Sequence, residues 1–412
     1  MSRIALLYGG RSTEHEVSVD SAKNIFQALI GSGFDVTCVG IAKDGTWHLQ
    51  DPADTHDGLP GVVTRRDGDD VYVKPGLGLW DANGRLAIDA VLPVTHGTEG
   101  EDGRLQGLCD LAHLPCVGCD APSSTVGMHK DMAKRLFSAV GIPVVPSIML
   151  RREDMAWLAD NDDATLPRFI ESFIDRTITA RPHTATREEL LRMTVAGTLG
   201  ESVVVKPEAG GSSVGVTIVR DLDDPSEFDR TGRELLQAIA TAAAVCDTVL
   251  IETLVSPMEE VECAVLETPD EGLVVGGPGM VCNPGQTESG FLSYEQKYGS
   301  DMPATMRIPA PIPWRTAQRI KDYATLAFRT IGANGYARVD FFVVKDTDAE
   351  PGQLRGQRIF LNEINTLPGM TKTSHYPRLI ASQGYDMPTM IRTAIQEAID
   401  RFDRLERLNH TL

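Results

Sequence analysis

The chain is short of positive charge: 39 Lys and Arg stand against 58 Asp and Glu in 412 residues, a formal net charge of −19. Such a balance disfavours nucleic acid and anionic membranes, so neither is expected as a partner. Any anionic ligand must be met by basic residues gathered at one place. Long apolar runs are missing too. The N-terminus, Met1-Ser2-Arg3-Ile4-Ala5-Leu6-Leu7-Tyr8, reads as a short strand and not as a signal peptide or a membrane span, which places the protein in the cytoplasm. Cysteines are few and odd in number, seven scattered along the chain, and are expected as reduced thiols. Cys116-Val117-Gly118-Cys119 has redox or zinc spacing, but no second pair or histidine pattern completes a site, so these read as packing residues. Internal repeats and low-complexity tracts are absent.

What is present fits a soluble α/β enzyme: 42% of residues are hydrophobic and only 6% aromatic, in a chain long enough for two or three domains. An apolar run from Ile4 to Tyr8 is followed by a turn at Gly9-Gly10-Arg11-Ser12-Thr13. A helix capped by Ser18 or Asp20 comes next, with Ala22, Ile25, Phe26, Leu29 and Ile30 inward, and then a strand over 36–41. That order predicts a parallel sheet with ligands at the carboxyl ends of its strands. The loop lacks the three-glycine dinucleotide spacing, so a nicotinamide cofactor finds little support. Glu14-His15-Glu16-Val17-Ser18 lies between strand and helix, where a glutamate either complements the helix dipole or serves a ligand. A strand over 90–94 leads into Thr95-His96-Gly97-Thr98-Glu99-Gly100-Glu101-Asp102-Gly103, a charged loop placed for binding, although His96 could equally be structural.

The strongest signal is the stretch from Arg338 to Gly369. Residues 335–344 read as a buried strand, and Gln357-Arg358 leads into a second over 359–365. In a two-residue repeat Arg338 and Asp340 share a face of the first, and Glu363 and Asn365 a face of the second. A hairpin of the two would bring three oxygen ligands and one guanidinium together. Buried carboxylates without partners are costly, so a cation, alone or with a bound anion, is the natural occupant, and carboxylate and amide oxygens suit Mg²⁺. The plainer alternative is a salt-bridge cluster of Arg338 with Asp340 and Glu363. The following Thr366-Leu367-Pro368-Gly369-Met370-Thr371 favours a ligand, because Gly369 lets backbone N–H groups approach one.

Three further segments fit that picture. Met132, Leu136, Phe137 and Val140 predict a helix face beyond a domain boundary just before Lys130, and 151–199 reads as an acidic, weakly periodic elaboration. A strand over 202–206 ends at Lys206 and opens into Pro207-Glu208-Ala209-Gly210-Gly211-Ser212-Ser213-Val214-Gly215-Val216. This small-residue loop can offer N–H and hydroxyl donors to phosphate, though it is not the Walker loop and could be a plain hairpin turn. The long loop holding Tyr294-Glu295-Gln296-Lys297-Tyr298 reads as a lid.

Taken in order and spacing, these motifs resemble the D-alanine–D-alanine ligases of the ATP-grasp superfamily almost end to end. The resemblance implies a three-domain α/β ATP-grasp fold with an N-terminal parallel-sheet domain: residues 1–129, 130–252 with the long insertion about 151–199, and 253–412 with the lid loop and Mg²⁺ site. It implies that ATP phosphorylates the carboxylate of one D-alanine and that the amine of a second attacks the acyl phosphate. Glu16 would bind the first ammonium, grouped with Ser212 and Tyr298. Lys130, Lys206, Lys297 and Ser213 would hold ATP phosphates, and Glu252, Leu254 and Glu260 would position adenine and ribose. Asp340, Glu363 and Asn365 would bind two Mg²⁺, which Mn²⁺ could replace. Arg338 and the Gly369 N–H would stabilise the tetrahedral oxyanion, Ser374 would place the second carboxylate, and His96 and Glu101 would line the pocket. A homodimer is implied as well. Rival readings are a ligase using D-serine or D-lactate as second substrate, and a non-catalytic nucleotide sensor. The chain departs from the family pattern at Glu208-Ala209-Gly210, at Leu292-Ser293 and at His129.

Overall fold

A computed structural model of the chain describes residues 2–159, 170, 186–282, 305–345 and 357–408. The expected lid with Lys297 and Tyr298, and most of the 151–199 segment, lie outside the described residues.

Ile4, Leu6 and Tyr8 lie on one side of β1 (Arg3–Gly9), Ala5 and Leu7 on the other, and all five are fully buried. A strand apolar on both faces needs cover on both, the mark of an internal strand in a parallel sheet. Here β2 (Asp35–Ile41) and β7 (Ala90–Pro93) flank β1 in parallel, and β3 (Trp47–Gln50) adds an antiparallel edge. Between β3 and β7, β4 (Tyr72–Lys74), β5 (Gly78–Asp81) and β6 (Gly84–Arg85) form a small antiparallel sheet. Helix α1 (His15–Gly31) covers one face of the main sheet and α2 (Arg104–Leu111) the other, followed by α3 (Ala121–Met128).

Helix α1 begins three residues before Ser18, the earlier of the two expected caps. Ser18 is instead fully buried, its Oγ accepting from the Gly9 N–H at 2.8 Å and donating to the Val94 carbonyl at 2.8 Å, so it rivets helix to sheet and cannot cap. A second correction concerns α4 (Lys130–Ala139). Its buried residues are Ala133, Lys134 and Phe137, whereas Met132, Leu136 and Val140, expected inward, are exposed. The helix is rotated because Lys134 takes an inward position to pair with a buried carboxylate.

The second sheet comprises β8 (Ser147–Leu150), then β9 (Val203–Pro207), β10 (Thr217–Val219) and β11 (Val249–Thr253), all antiparallel in the order β10-β9-β11-β8. Helix α5 (Arg152–Ala159) follows β8, α6 (Arg187–Leu199) precedes β9, and α7 (Phe228–Ala243) precedes β11. Val203 and Val205 pack with α6 and α7. By alternation Val204 and Lys206 face the opposite side, towards a cleft.

The third sheet orders β14 (Thr305–Arg307), β13 (Gly272–Cys282), β12 (Glu259–Thr268), β15 (Tyr336–Lys345) and β16 (Gln357–Asn365). Helix α8 (Trp314–Thr330) packs on the face carrying Val261, Cys263, Val339 and Phe341. The other face carries Glu262, Arg338 and Asp340, and is partly covered by α9 (His375–Ala381) and α10 (Met387–Glu406). The expected hairpin is present, with Arg338 opposite Asn365 and Asp340 opposite Glu363. Beyond Asp340 the register shifts, so that Phe341 faces Leu361 and Asn362 is the extra residue of a bulge.

Helix α10, capped by the Asp386 carboxylate on the Thr389 N–H at 2.9 Å, returns to the first sheet and α1. Met390, Ile391, Ala394, Ile395 and Ala398 join the same cluster as Ile4, Leu6, Ala22, Ile25 and Leu29. Arg401 donates to the carbonyls of Cys116 and Gly118 at 2.8 and 3.0 Å. Cys116 and Cys119 are buried free thiols, as packing residues should be. No described helix is long and apolar enough to cross a membrane.

Candidate active site

Two adjoining pockets open where the three larger sheets meet. Glu14, His96, Glu101, Ser212, Arg338, Asn365 and Gly369 line the first; Val204, Lys206, Ser213, Glu260 and Asn362 line the second. Lys130, Gly210, Gly211, Ser212 and Glu363 border both, so a ligand in one would touch a ligand in the other across the same lysine and carboxylate.

The first pocket holds the carboxylate the sequence reading misplaced. Glu16, expected in the site, has a side chain 71% exposed and pairs with Lys43 at 2.5 Å, a bond that holds its carboxyl below the usual range. Glu14 is the one turned inward. It is 9% exposed and accepts a hydrogen bond from Ser212 Oγ. A Cβ on Gly97 or Gly211 would come within 3.0 or 3.2 Å of Glu14 Oε2, so both loops close over it. Next to it His96 holds Ser21 Oγ through Nε2 at 3.0 Å and faces Glu101 through Nδ1 at 3.4 Å. Burial raises the Glu101 carboxyl and nearby Glu14 adds to the rise, opposed by His96.

The loop after β9 is strained where it meets the pockets. Ser212 and Ser213 have φ of +51° and +58°, a left-handed conformation that residues with side chains take only where the surroundings impose it. Lys130 reaches the same loop, donating to the Gly210 carbonyl at 2.7 Å, and its ammonium is 3.8 Å from Glu363. Lys206 lines the second pocket but is tethered at 2.6 Å to Glu252. Glu252, expected to position adenine and ribose, is instead buried between Lys206 and Lys134. Burial alone would raise its carboxyl, but the two ammonium groups outweigh that and hold it at about 2. Leu254 follows the end of β11, donating its N–H to the Ser202 carbonyl at 2.9 Å, and does not line either pocket.

On the third sheet Arg338 makes two hydrogen bonds to Asp340, Nε to Oδ1 at 2.8 Å and Nη2 to Oδ2 at 2.7 Å, and lies 3.4 Å from Glu262. Glu262 in turn holds His375 Nδ1 at 3.0 Å. Sequence reasoning missed Glu262, His375 and Lys134. Glu262 was legible, since it shares the parity of Ala264 and Leu266 and interrupts the otherwise apolar run 261–266 of β12, and Lys134 stands one helical turn after Lys130. Gly369 borders the first pocket; a Cβ there would meet Ser374 Oγ at 2.9 Å. Ser374 stands behind that turn, accepting from the Thr371 N–H at 2.9 Å, and does not line the pocket.

Among the described residues no group of three or more His, Cys, Asp or Glu forms a ready-made metal cage. The donor set still fits a hard divalent ion. Glu363 and Asn365 face the pocket, and Asn365 Nδ2 bonds Asp340 Oδ2 at 3.0 Å. Burial, reinforced by Glu262 and Glu363, lifts the Asp340 carboxyl to about 6 even beside Arg338. That excess of negative charge is what a cation would relieve, with phosphate and water supplying the ligands the protein does not.

His129 Nδ1 and Glu208 Oε2 face each other at 2.7 Å beside Lys130.

Residues 3–119 match the family described as D-ala D-ala ligase N-terminus, and residues 175–396 the family described as D-ala D-ala ligase C-terminus. A D-alanine–D-alanine ligase of Mycolicibacterium vanbaalenii is 36% identical over 97% of each chain. Among solved structures, the D-alanine–D-alanine ligase from Coxiella burnetii superposes with a TM-score of 0.70 at 27% identity, covering 99% of this chain and 98% of its own. The VanG D-Ala:D-Ser ligase from Enterococcus faecalis superposes at 0.68 and 28%, covering 96% and 99%.

Proposed function

The chain belongs to the D-alanine–D-alanine ligase family, and from that premise we propose how its own residues divide the work of joining two D-alanine molecules at the expense of ATP, a reaction that supplies the cell wall. One observation carries the assignment: an amino-acid-sized pocket built on Glu14 and Arg338 shares Lys130 and Glu363 with a second pocket lined by Lys206 and the Ser213 turn. A carboxylate held in the first pocket meets the terminal phosphate of a nucleotide held in the second. Phosphoryl transfer asks mainly for such positioning and for neutralised charge.

Glu14, with Ser212 donating to it, takes the ammonium of the first D-alanine, the role the resemblance had suggested for Glu16. The carboxylate oxygen of that D-alanine then attacks the γ-phosphorus, ADP leaves, and an acyl phosphate of the amino acid forms. Lys130, Lys206 and the Ser213 loop hold the phosphates, and Glu260, which lines the second pocket, would take the ribose. Glu363, Asn365 and Asp340 would hold Mg²⁺, which supplies further neutralisation of the phosphate charge. The amine of the second D-alanine, having lost its proton, attacks the acyl carbonyl and phosphate departs. Arg338 and Gly369, both lining the first pocket, would stabilise the oxyanion of that step, Gly369 through its N–H. A cytoplasmic setting is the reading that free thiols and the need for ATP support.

The assay is ADP and product formation with D-alanine, D-serine and D-lactate offered separately as partners of D-alanine. ADP release that depends on D-alanine, with the D-alanyl dipeptide as main product, is expected. An ester or a mixed dipeptide as sole product, or tight ATP binding with no ADP release, would overturn the proposal.

A further inference from the structure

Glu208 follows β9 at the mouth of the phosphate-side loop, and it is only 3% exposed. Its two carboxylate oxygens have separate partners on another element: Oε2 lies 2.7 Å from His129 Nδ1, and Oε1 accepts from the Asp131 N–H at 3.1 Å. Its backbone carbonyl accepts the Lys130 N–H at 3.3 Å, and Ala209 bridges His129 in antiparallel fashion. These bonds surround Lys130 on both sides along the chain. They also give the start of α4, where His129 makes no side-chain cap, acceptors for two of its orphan N–H groups, those of Lys130 and Asp131, from the residue that follows β9. Neither Glu208 nor His129 lines either pocket, so neither would touch a ligand there. Lys130 does, and its ammonium is already bonded to Gly210 in the same loop.

We propose that His129 and Glu208 are a pair of positioning residues that lock Lys130 to the Gly210–Ser213 loop, so that the lysine and the loop approach the nucleotide phosphates as one rigid unit. The inference rests on the assignment of Lys130 and that loop to the phosphates of ATP. A buried carboxylate with two fixed donors has little freedom to move. Removing either side of the pair releases the lysine's backbone while leaving its charge, so phosphate binding weakens without loss of the amino-acid pocket.

Steady-state kinetics and calorimetric binding on the full chain test this. For His129→Ala and Glu208→Ala the KM for ATP is expected to rise about tenfold, as for loss of one charge-assisted hydrogen bond, with the KM for D-alanine changing by less than about twofold. Affinity for adenosine, which has no phosphate, should stay at the wild-type value. His129→Asn, which keeps an N–H donor near the Nδ1 position, should restore ATP affinity, and the double alanine variant should be no weaker than Glu208→Ala alone. Because the His129 side chain is 40% exposed, its variants keep the test open should Glu208→Ala fail to fold. Equal shifts for ATP and D-alanine, a wild-type KM for ATP in His129→Ala, or additive losses would overturn the pairing. Lys130→Ala separates the two levels. An unchanged KM for ATP there removes the phosphate assignment and the pairing with it, whereas a raised value beside an unaffected His129→Ala removes the pairing alone.

Discussion

Glu14 stands at the cap position just before α1, and Glu16 lies in the helix's first turn, so Glu14 points into the pocket and Glu16 into solvent. The motif Glu-His-Glu was visible in the sequence, but which glutamate mattered depended on where α1 begins. Ser18 looked like a cap, and only its burial against β1 and Val94 shows that the helix must already be under way by then. Glu14→Gln should raise the KM for the first D-alanine by tenfold or more, about the loss of a charge-assisted bond, while Glu16→Gln should leave it unchanged. Initial-rate kinetics over the D-alanine concentrations that fill each subsite measure both, and equal effects would return the role to Glu16. Arg338, Asp340, Glu363 and Asn365 were legible for the opposite reason: a strand's alternation is rigid, so charged residues two apart in apolar surroundings have only one face to share.

At the scale of elements, the hairpin of β15 and β16 contains a conflict that a plain alternation could not resolve. Leu361, Glu363 and Asn365 have the same parity, yet Leu361 is buried in the core with Phe341 while Glu363 faces the pockets. The bulge at Asn362 settles it by switching faces between them. The clue was present in the sequence as an apolar residue out of phase with its polar neighbours. Deleting Asn362 forces either Leu361 out of the core or Glu363 into it. The first alone costs about 1.5–3 kcal/mol, so the deletion variant should melt several degrees lower and make no ADP. A deletion variant with wild-type melting and turnover would show that the bulge is incidental. The outward Met132, Leu136 and Val140 of α4 teach the same lesson. Hydrophobic spacing pointed to one face, but the buried charge cluster of Lys134, Glu252 and Lys206 turned the helix to another.

At the scale of the whole molecule, α10 joins the third sheet to the first, and the contact carries an electrostatic cost. Burial raises the Glu397 carboxyl to about 7 from 4.5, with Glu267 adding to the rise and Arg401, 2.9 Å away, opposing it. A carboxyl raised on folding binds its proton more tightly in the native state, so its contribution is full below the unfolded value and is lost as pH climbs through about 7. Glu397→Gln should therefore raise the melting temperature at pH 8 and flatten the decline between pH 5 and 8, a difference of at most about 3 kcal/mol. Melting curves of both proteins at those two pH values decide it, and parallel declines would assign the slope to other groups. The same helix has a consequence for biosynthesis. Because Met390 to Ala398 complete the cluster begun by Ile4 and Leu6, a ribosome must pass codon 398 before that cluster is closed. Until then the part of the α1 surface that meets α10 stays open to chaperones and proteases, and a premature stop codon upstream of Met390 would leave it so permanently.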